Sequence, residues 1–141
     1  MKKFLNGDYI EMTPEEITAR QAEESAWLQE RITAHLPAYR YAKETGGVTI
    51  NGVRIQTDRE SRAILTGAYI RAKEDNEYVV RWKTPAGFVT LNSAQIIAIS
   101  DSVADHVKKC YEAEFSVLEN IGSVLSVQDV ETCFDNFYRV L

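Results

Sequence analysis

Val48-Thr49-Ile50-Asn51-Gly52-Val53-Arg54-Ile55 decides how the rest of the chain is read. Asn-Gly tolerates positive φ at both positions and favours a two-residue type I′ turn. With Asn51-Gly52 as that turn, Ile50 faces Val53 and Val48 faces Ile55. Alternation then gathers these four on one face and puts Thr49 and Arg54 on the other. A hairpin with one apolar face must rest on something, and the flanking sequence offers helices. Thr57-Asp58-Arg59-Glu60 reads as a capping box with Thr57 as the cap. It opens a helix to about Lys73 that carries Ile64, Leu65, Ala68 and Ala72 on one side.

Further along, Tyr78 to Lys83 reads as a strand, Thr84-Pro85-Ala86-Gly87 as a turn and Phe88 to Leu91 as the return strand. A four-residue loop pairs Lys83 with Phe88, Trp82 with Val89 and Val80 with Leu91. One face is then apolar and contains Trp82, while Val79, Arg81, Lys83, Phe88 and Thr90 occupy the other. Asn92 with Gln95 makes another box and starts a long helix to about Glu119. Its apolar residues form two neighbouring stripes, one through Ile96, Ile99, Val103, Val107, Cys110 and Val117, the other through Ile97, Ala104, Tyr111, Phe115 and Leu118. So wide an arc predicts the central core helix. From Ser126 or Gln128 to Val140 the chain reads as a last short helix.

Upstream, Asn6-Gly7 between Phe4-Leu5 and Tyr9-Ile10 reads as a short hairpin or an arm. Thr13-Pro14-Glu15-Glu16 is a helix start, with Thr13 as cap and Pro14 in the first turn. Pro37 disfavours helix before it and sets an expected end near Leu36. Only the second half carries an apolar stripe, Trp27, Leu28, Ile32 and Leu36. These residues are expected to pack on another chain, making a dimer. The expected fold class is α+β: a small antiparallel sheet of two β-hairpins packed on helices, including a long core helix, with a helical N-terminal arm. The expected division is an arm over 1–45, a core domain over 46–119 and a helical extension over 120–141.

An apolar share of 45% with 26% charged residues is that of an ordinary globular domain, long enough to fold without staples. The net charge of −5 argues against nucleic acid and anionic membranes as partners, since both reward an excess of Lys and Arg. Residues 46–91 run against the trend with a small excess of positive charge. The two cysteines, Cys110 and Cys133, make no disulfide framework and suit a reducing compartment. With no apolar leader in Met1–Glu11, a cytosolic start is expected.

Catalytic chemistry is sparse. His106 and Cys110 share a helix face, but a zinc site needs more ligands, and Cys110 falls on the core stripe. Gly46-Gly47 lacks the Lys and Ser/Thr of a phosphate loop. Carboxylates cluster as solvated helix charges, and no acid/base pair stands out. No catalytic residue, metal or cofactor is expected. The one constellation suggestive of binding is Arg54, Arg81, Lys83 and Phe88. On a joined sheet, three cations beside an aromatic ring suit a phosphate-bearing ligand or an acidic partner.

Four segments carry a resemblance: Gly46 to Thr49, Thr57 to Ser61, Arg81 to Lys83 and Gly87 to Leu91. Together the run from Tyr41 to about Glu119 resembles an uncharacterised domain family found in small proteins of tailed phages and prophages. The head, Asn6 to Glu16, looks like the start of phage tail-fibre-region proteins. The resemblance implies genomic company with phage tail and tail-fibre genes. It implies no reaction. The expected function is non-enzymatic, tail-fibre assembly or a minor tail component, through contacts with phage tail or fibre proteins in the host cytoplasm during infection or in the virion tail. The alternative is an oligomeric counter-defence protein that sequesters a small nucleotide signal.

Overall fold

The computed structural model describes residues 1–124 and 126–141. In chain order the elements are β1 (Lys2–Leu5), β2 (Asp8–Glu11), α1 (Pro14–Thr45), β3 (Val48–Ile50), β4 (Val53–Ile55), α2 (Arg59–Glu74), β5 (Val79–Thr84), β6 (Gly87–Asn92), α3 (Ser93–Glu119), a 3-10 turn (Ile121–Ser123) and α4 (Val127–Val140). The fold is α+β, with a long core helix and a helical N-terminal segment.

The hairpins pair as their sequences predict. Asn6-Gly7 and Asn51-Gly52 all take positive φ, as a type I′ turn requires. Ile50 faces Val53, Lys83 faces Phe88 and Trp82 faces Val89. The expected joining into one sheet does not occur: β1–β2, β3–β4 and β5–β6 stay separate two-stranded ladders. The reason lies in what each rests on. Ile55, at the end of a three-residue strand, and Leu91 are both buried in one cluster with Leu65, Ile96, Ile99 and Val103 from α2 and α3. The two inner hairpins share helical support rather than strand edges.

Helix α3 serves two cores. Its first half belongs to that mixed cluster. Its second half, through Cys110, Ala113 and Val117, joins Ile32 and Leu36 of α1 and Val130 and Phe134 of α4 in an all-helical cluster. The second predicted stripe does not complete the arc, since Tyr111, Phe115 and Leu118 remain exposed.

Helix α1 does not stop at Leu36 but runs through Pro37 to Thr45. A proline inside a helix forfeits a hydrogen bond and costs about 3 kcal/mol. Contacts beyond it offset that cost: Tyr39 donates to Asp135 at 2.9 Å and Arg40 to Glu114 at 2.7 Å. The arm is therefore shorter than residues 1–45. Its stalk is Thr18–Trp27, exposed throughout and about 15 Å long at helical rise. The Thr13–Glu16 capping box forms as predicted. Lys3 pairs with Glu16 and ties the hairpin to the helix start. Among the described residues no hydrogen bond or ion pair joins β1–β2 to α2, α3 or α4. Nor is any described helix long and apolar enough to cross a membrane.

Helix α2 corrects a detail that matters below. Its cap is Asp58, which accepts from the Ser61 N–H at 3.1 Å, not Thr57. Thr57 is fully buried instead. Its hydroxyl donates to the Glu44 carbonyl at 2.6 Å and accepts from the Gly47 N–H at 2.8 Å. One threonine thus locks the end of α1 to the turn that follows.

Candidate functional site

The predicted basic face is present on β5–β6. Val79, Arg81, Lys83, Phe88 and Thr90 are all exposed, with Phe88 at 70%. Trp82 lies on the opposite face, half-buried against the mixed cluster. Arg81 and Lys83 border a groove of about 280 Å³ with Gln56, Ser61, Ile64 and Trp82, and Phe88 lies outside it. Arg54 borders a different cleft. The structure therefore does not gather Arg54, Arg81, Lys83 and Phe88 into one site, because the joined sheet that would align them is absent.

The stripe expected to meet another chain is mostly used within this one. Ile32 and Leu36 have no exposed surface, and Leu28 packs half-buried on the same cluster. Their partners are α3 and α4, the latter a short segment whose docking site no local signal reveals. Trp27 alone stays exposed, at 59%, with Arg31 stacked over its ring at 4.7 Å.

The polar cleft that sequence reasoning missed has a volume of about 450 Å³. Five elements meet there, with β3 contributing Val48. The end of α1 supplies Lys43 and leads into Gly46-Gly47. Strand β4 supplies Arg54, α3 supplies His106, and α4 supplies Asp135 and Tyr138. Arg54 donates to the Gly46 carbonyl at 2.6 Å. Its guanidinium lies so close over Gly47 that a Cβ there would sit 3.0 Å from it, on a backbone with φ +85°. Only glycine allows both the conformation and the approach.

His106 fixes the hydrogen-bond pattern of the back wall. Its Nε2 lies 3.1 Å from the Lys43 carbonyl, which can only accept, so Nε2 carries the proton. Nδ1 must then accept from the Tyr138 hydroxyl at 2.7 Å. Burial pushes the imidazole below its ordinary range, despite the bond to Lys43. Burial likewise pushes the Tyr138 phenol up. Asp135 accepts from Tyr39 through both oxygens and pairs with Lys43 at 3.5 Å.

Beneath the cleft lies a charged knot. Glu44 is 1% exposed and pairs with both Arg40 and Arg62, and Arg40 also reaches Glu114. Burial alone would raise the Glu44 carboxyl, but hydrogen bonds from Arg62 and Arg40 outweigh it and leave it below the usual value. The Arg40–Glu44 spacing of four was visible in the sequence; the third partner, eighteen residues on, was not.

His106 and Cys110 behave as the core reading of that pair expects. Cys110 is completely buried, and burial, with Glu44 nearby, pushes its thiol up to about 11. A nucleophilic cysteine needs the opposite shift. Among the described residues no three His, Cys, Asp or Glu side chains group closely enough to hold a metal. What this cleft can do is bind: it offers cations, a phenol and an imidazole in a fixed arrangement.

Residues 27–133 match the family model described as a domain of unknown function, DUF4376. No curated protein and no solved structure matches the chain.

Proposed function

This chain belongs to the DUF4376 family, and from its own sequence and structure rather than from that membership we propose that it is a non-enzymatic adaptor of a tailed phage or prophage, attaching to tail or tail-fibre proteins through its N-terminal arm. The observation that carries the reading is the hairpin at the end of the stalk. Phe4, Leu5 and Tyr9 are 63%, 50% and 74% exposed there. An isolated two-stranded hairpin is marginal in water, and apolar side chains held out on one invite a partner. The family match covers residues 27–133, so the hairpin and most of the stalk lie outside the matched region. The tail assignment rests on the resemblance of Asn6 to Glu16 to tail-fibre-region proteins. The host cytoplasm and the virion tail follow as locations.

The non-enzymatic part is supported by the closed thiol of Cys110 and by carboxylates committed to arginines. A nucleotide-sequestering role at Arg54, Arg81, Lys83 and Phe88 has weaker support, since those residues are divided between clefts. A homodimer remains part of the proposal, now through Tyr111, Phe115 and Leu118, which share one exposed face of α3 at helical spacing. Light scattering should give a dimer mass for the native chain and a monomer mass for Phe115→Asp.

The main test is a tagged chain expressed during infection, with tail proteins identified by mass spectrometry of what it retains and of purified virions. Native protein should retain tail or fibre proteins. Paired Phe4→Ser and Tyr9→Ser changes should lose them while leaving the melting curve of the body in place. Equal retention by both forms would overturn the role of the arm.

A further inference from the structure

We propose that the cleft between α1, β4 and α4 is a site for a small oxyanion, a phosphate monoester or sulfate group, held by Arg54 with Lys43 and the Tyr138 hydroxyl, and that His106 takes up a proton as the site fills. This rests on the cleft alone and not on the adaptor reading. Three observations carry it.

The first is the charge. Lys43 and Arg54 line the cleft, and Lys109 lies over the Tyr138 ring at 4.6 Å. Asp135 is the one carboxylate in the lining, and it is engaged by Tyr39 and Lys43. Among the described residues no carboxylate pairs with Arg54 or Lys109. Arg54 therefore stands uncompensated in the lining of a cavity of about 450 Å³, with Lys109 beside Tyr138 adding positive charge nearby, and the size suits a small ligand.

The second is the rigidity of the principal cation. Arg54 is tethered through one nitrogen to the Gly46 carbonyl and lies against Gly47, whose N–H is held by Thr57. A guanidinium with one tooth fixed keeps its other donors free for an oxyanion, and little side-chain freedom is left to lose on binding.

The third is the His106–Tyr138 pair. With His106 neutral, Tyr138 spends its proton on Nδ1 of His106, so its oxygen faces the cleft without a hydrogen to offer. When a proton from solvent binds Nδ1, that nitrogen donates to the Tyr138 oxygen. The phenol proton is then released to point at the anion. Nε2 keeps its bond to Lys43 throughout. The charged and titratable groups around the imidazole are Lys43 and Glu44 of α1, Arg54 of β4, Arg62 of α2, Lys109 and Cys110 of α3, and Asp135 and Tyr138 of α4. Lys109 and Arg62 disfavour the imidazolium, and a bound dianion offsets them.

Sulfate is the suitable probe, because it stays a dianion across the range where histidine titrates. The native chain is titrated with sulfate at pH about 5.5 and about 7.5 while the His106 ring is followed by NMR. Affinity should be several-fold higher at the lower pH, up to about fivefold, and saturating sulfate should raise the imidazole pKa by about one unit. Arg54→Ala should weaken binding about tenfold without moving the fold's NMR spectrum beyond the cleft. Tyr138→Phe should also weaken it. Equal affinity at both pH values, or a His106 titration that ignores sulfate, overturns the proton linkage. Unchanged binding by Arg54→Ala overturns the site. Phenyl phosphate and vesicles containing phosphatidic acid, run beside sulfate, distinguish a soluble phosphate ester from a lipid headgroup as the natural source.

Discussion

Helix α1 lives in two environments. From Thr18 to Trp27 every residue is exposed, and what holds the turns is local: the Thr13–Glu16 box at the start and the Arg20–Glu24 pair at 3.0 Å. Beyond Leu28 the same helix buries Ile32, Leu36 and Glu44 and survives an internal proline. Caps and spaced charges suffice to make a helix. Only an apolar stripe with a partner makes it part of a fold, because such local pairs contribute a few tenths of a kcal/mol each and buried side chains contribute several times that.

The sharpest way to break this comparison is a matched pair of aromatic truncations. Phe134 is fully buried and meets Tyr39 edge-on at 5.3 Å. Phe134→Ala should cost about 3–5 kcal/mol in urea unfolding, as for a core aromatic. Tyr9→Ala, on the arm, should stay within about 0.5 kcal/mol. Equal losses would mean that arm and body unfold as one unit.

Next comes the charged knot. Glu44→Ala leaves Arg40 and Arg62 facing each other with their common partner gone, and a loss of about 3 kcal/mol is expected. The double change Glu44→Ala with Arg62→Ala should recover part of it, which a thermodynamic cycle would measure. Simple addition of the two single losses would show that the knot is not coupled.

Trp82→Ala comes third, at about 2 kcal/mol, below a full core value because the ring is only half-buried. Arg81→Ala, one residue away on the open face, should stay within about 0.5 kcal/mol by thermal melting. The reverse order would mean that the two faces are exchanged.

The smallest effect is a slope. Burial holds the His106 pKa below its unperturbed 6.5 in the folded chain. Between the folded value and 6.5 the unfolded chain binds more protons, so stability falls as pH drops through that window and is level again below it. Urea midpoints in chloride buffers should show this decline, and His106→Gln should flatten it.

Much of this was readable in advance because it is local. Asn6-Gly7 and Asn51-Gly52 dictate turns, turns dictate register, and register puts Trp82 opposite Val89. The Asn92–Gln95 box marks where α3 begins. The cleft was not readable, because its members lie at positions 43, 54, 106, 135 and 138, and nothing local relates them. Tyr138 reads as one more apolar residue of a short helix until His106 is found 2.7 Å away. Thr57 reads as a cap until its hydroxyl is found bridging Glu44 and Gly47.

The amino-acid sequence by itself determined the elements, the starts of α1 and α3 and the pairing within each hairpin, since turn conformation, capping and alternation act over a few residues. Tertiary structure alone decided that Pro37 would not end α1, that Ile32 and Leu36 would be covered by α3 and α4, and that the inner hairpins would rest on α3 without joining. Those outcomes depend on which apolar faces meet. Burying a face is worth more than a proline's missing hydrogen bond or an unpaired strand edge, and no short stretch records which faces will find each other.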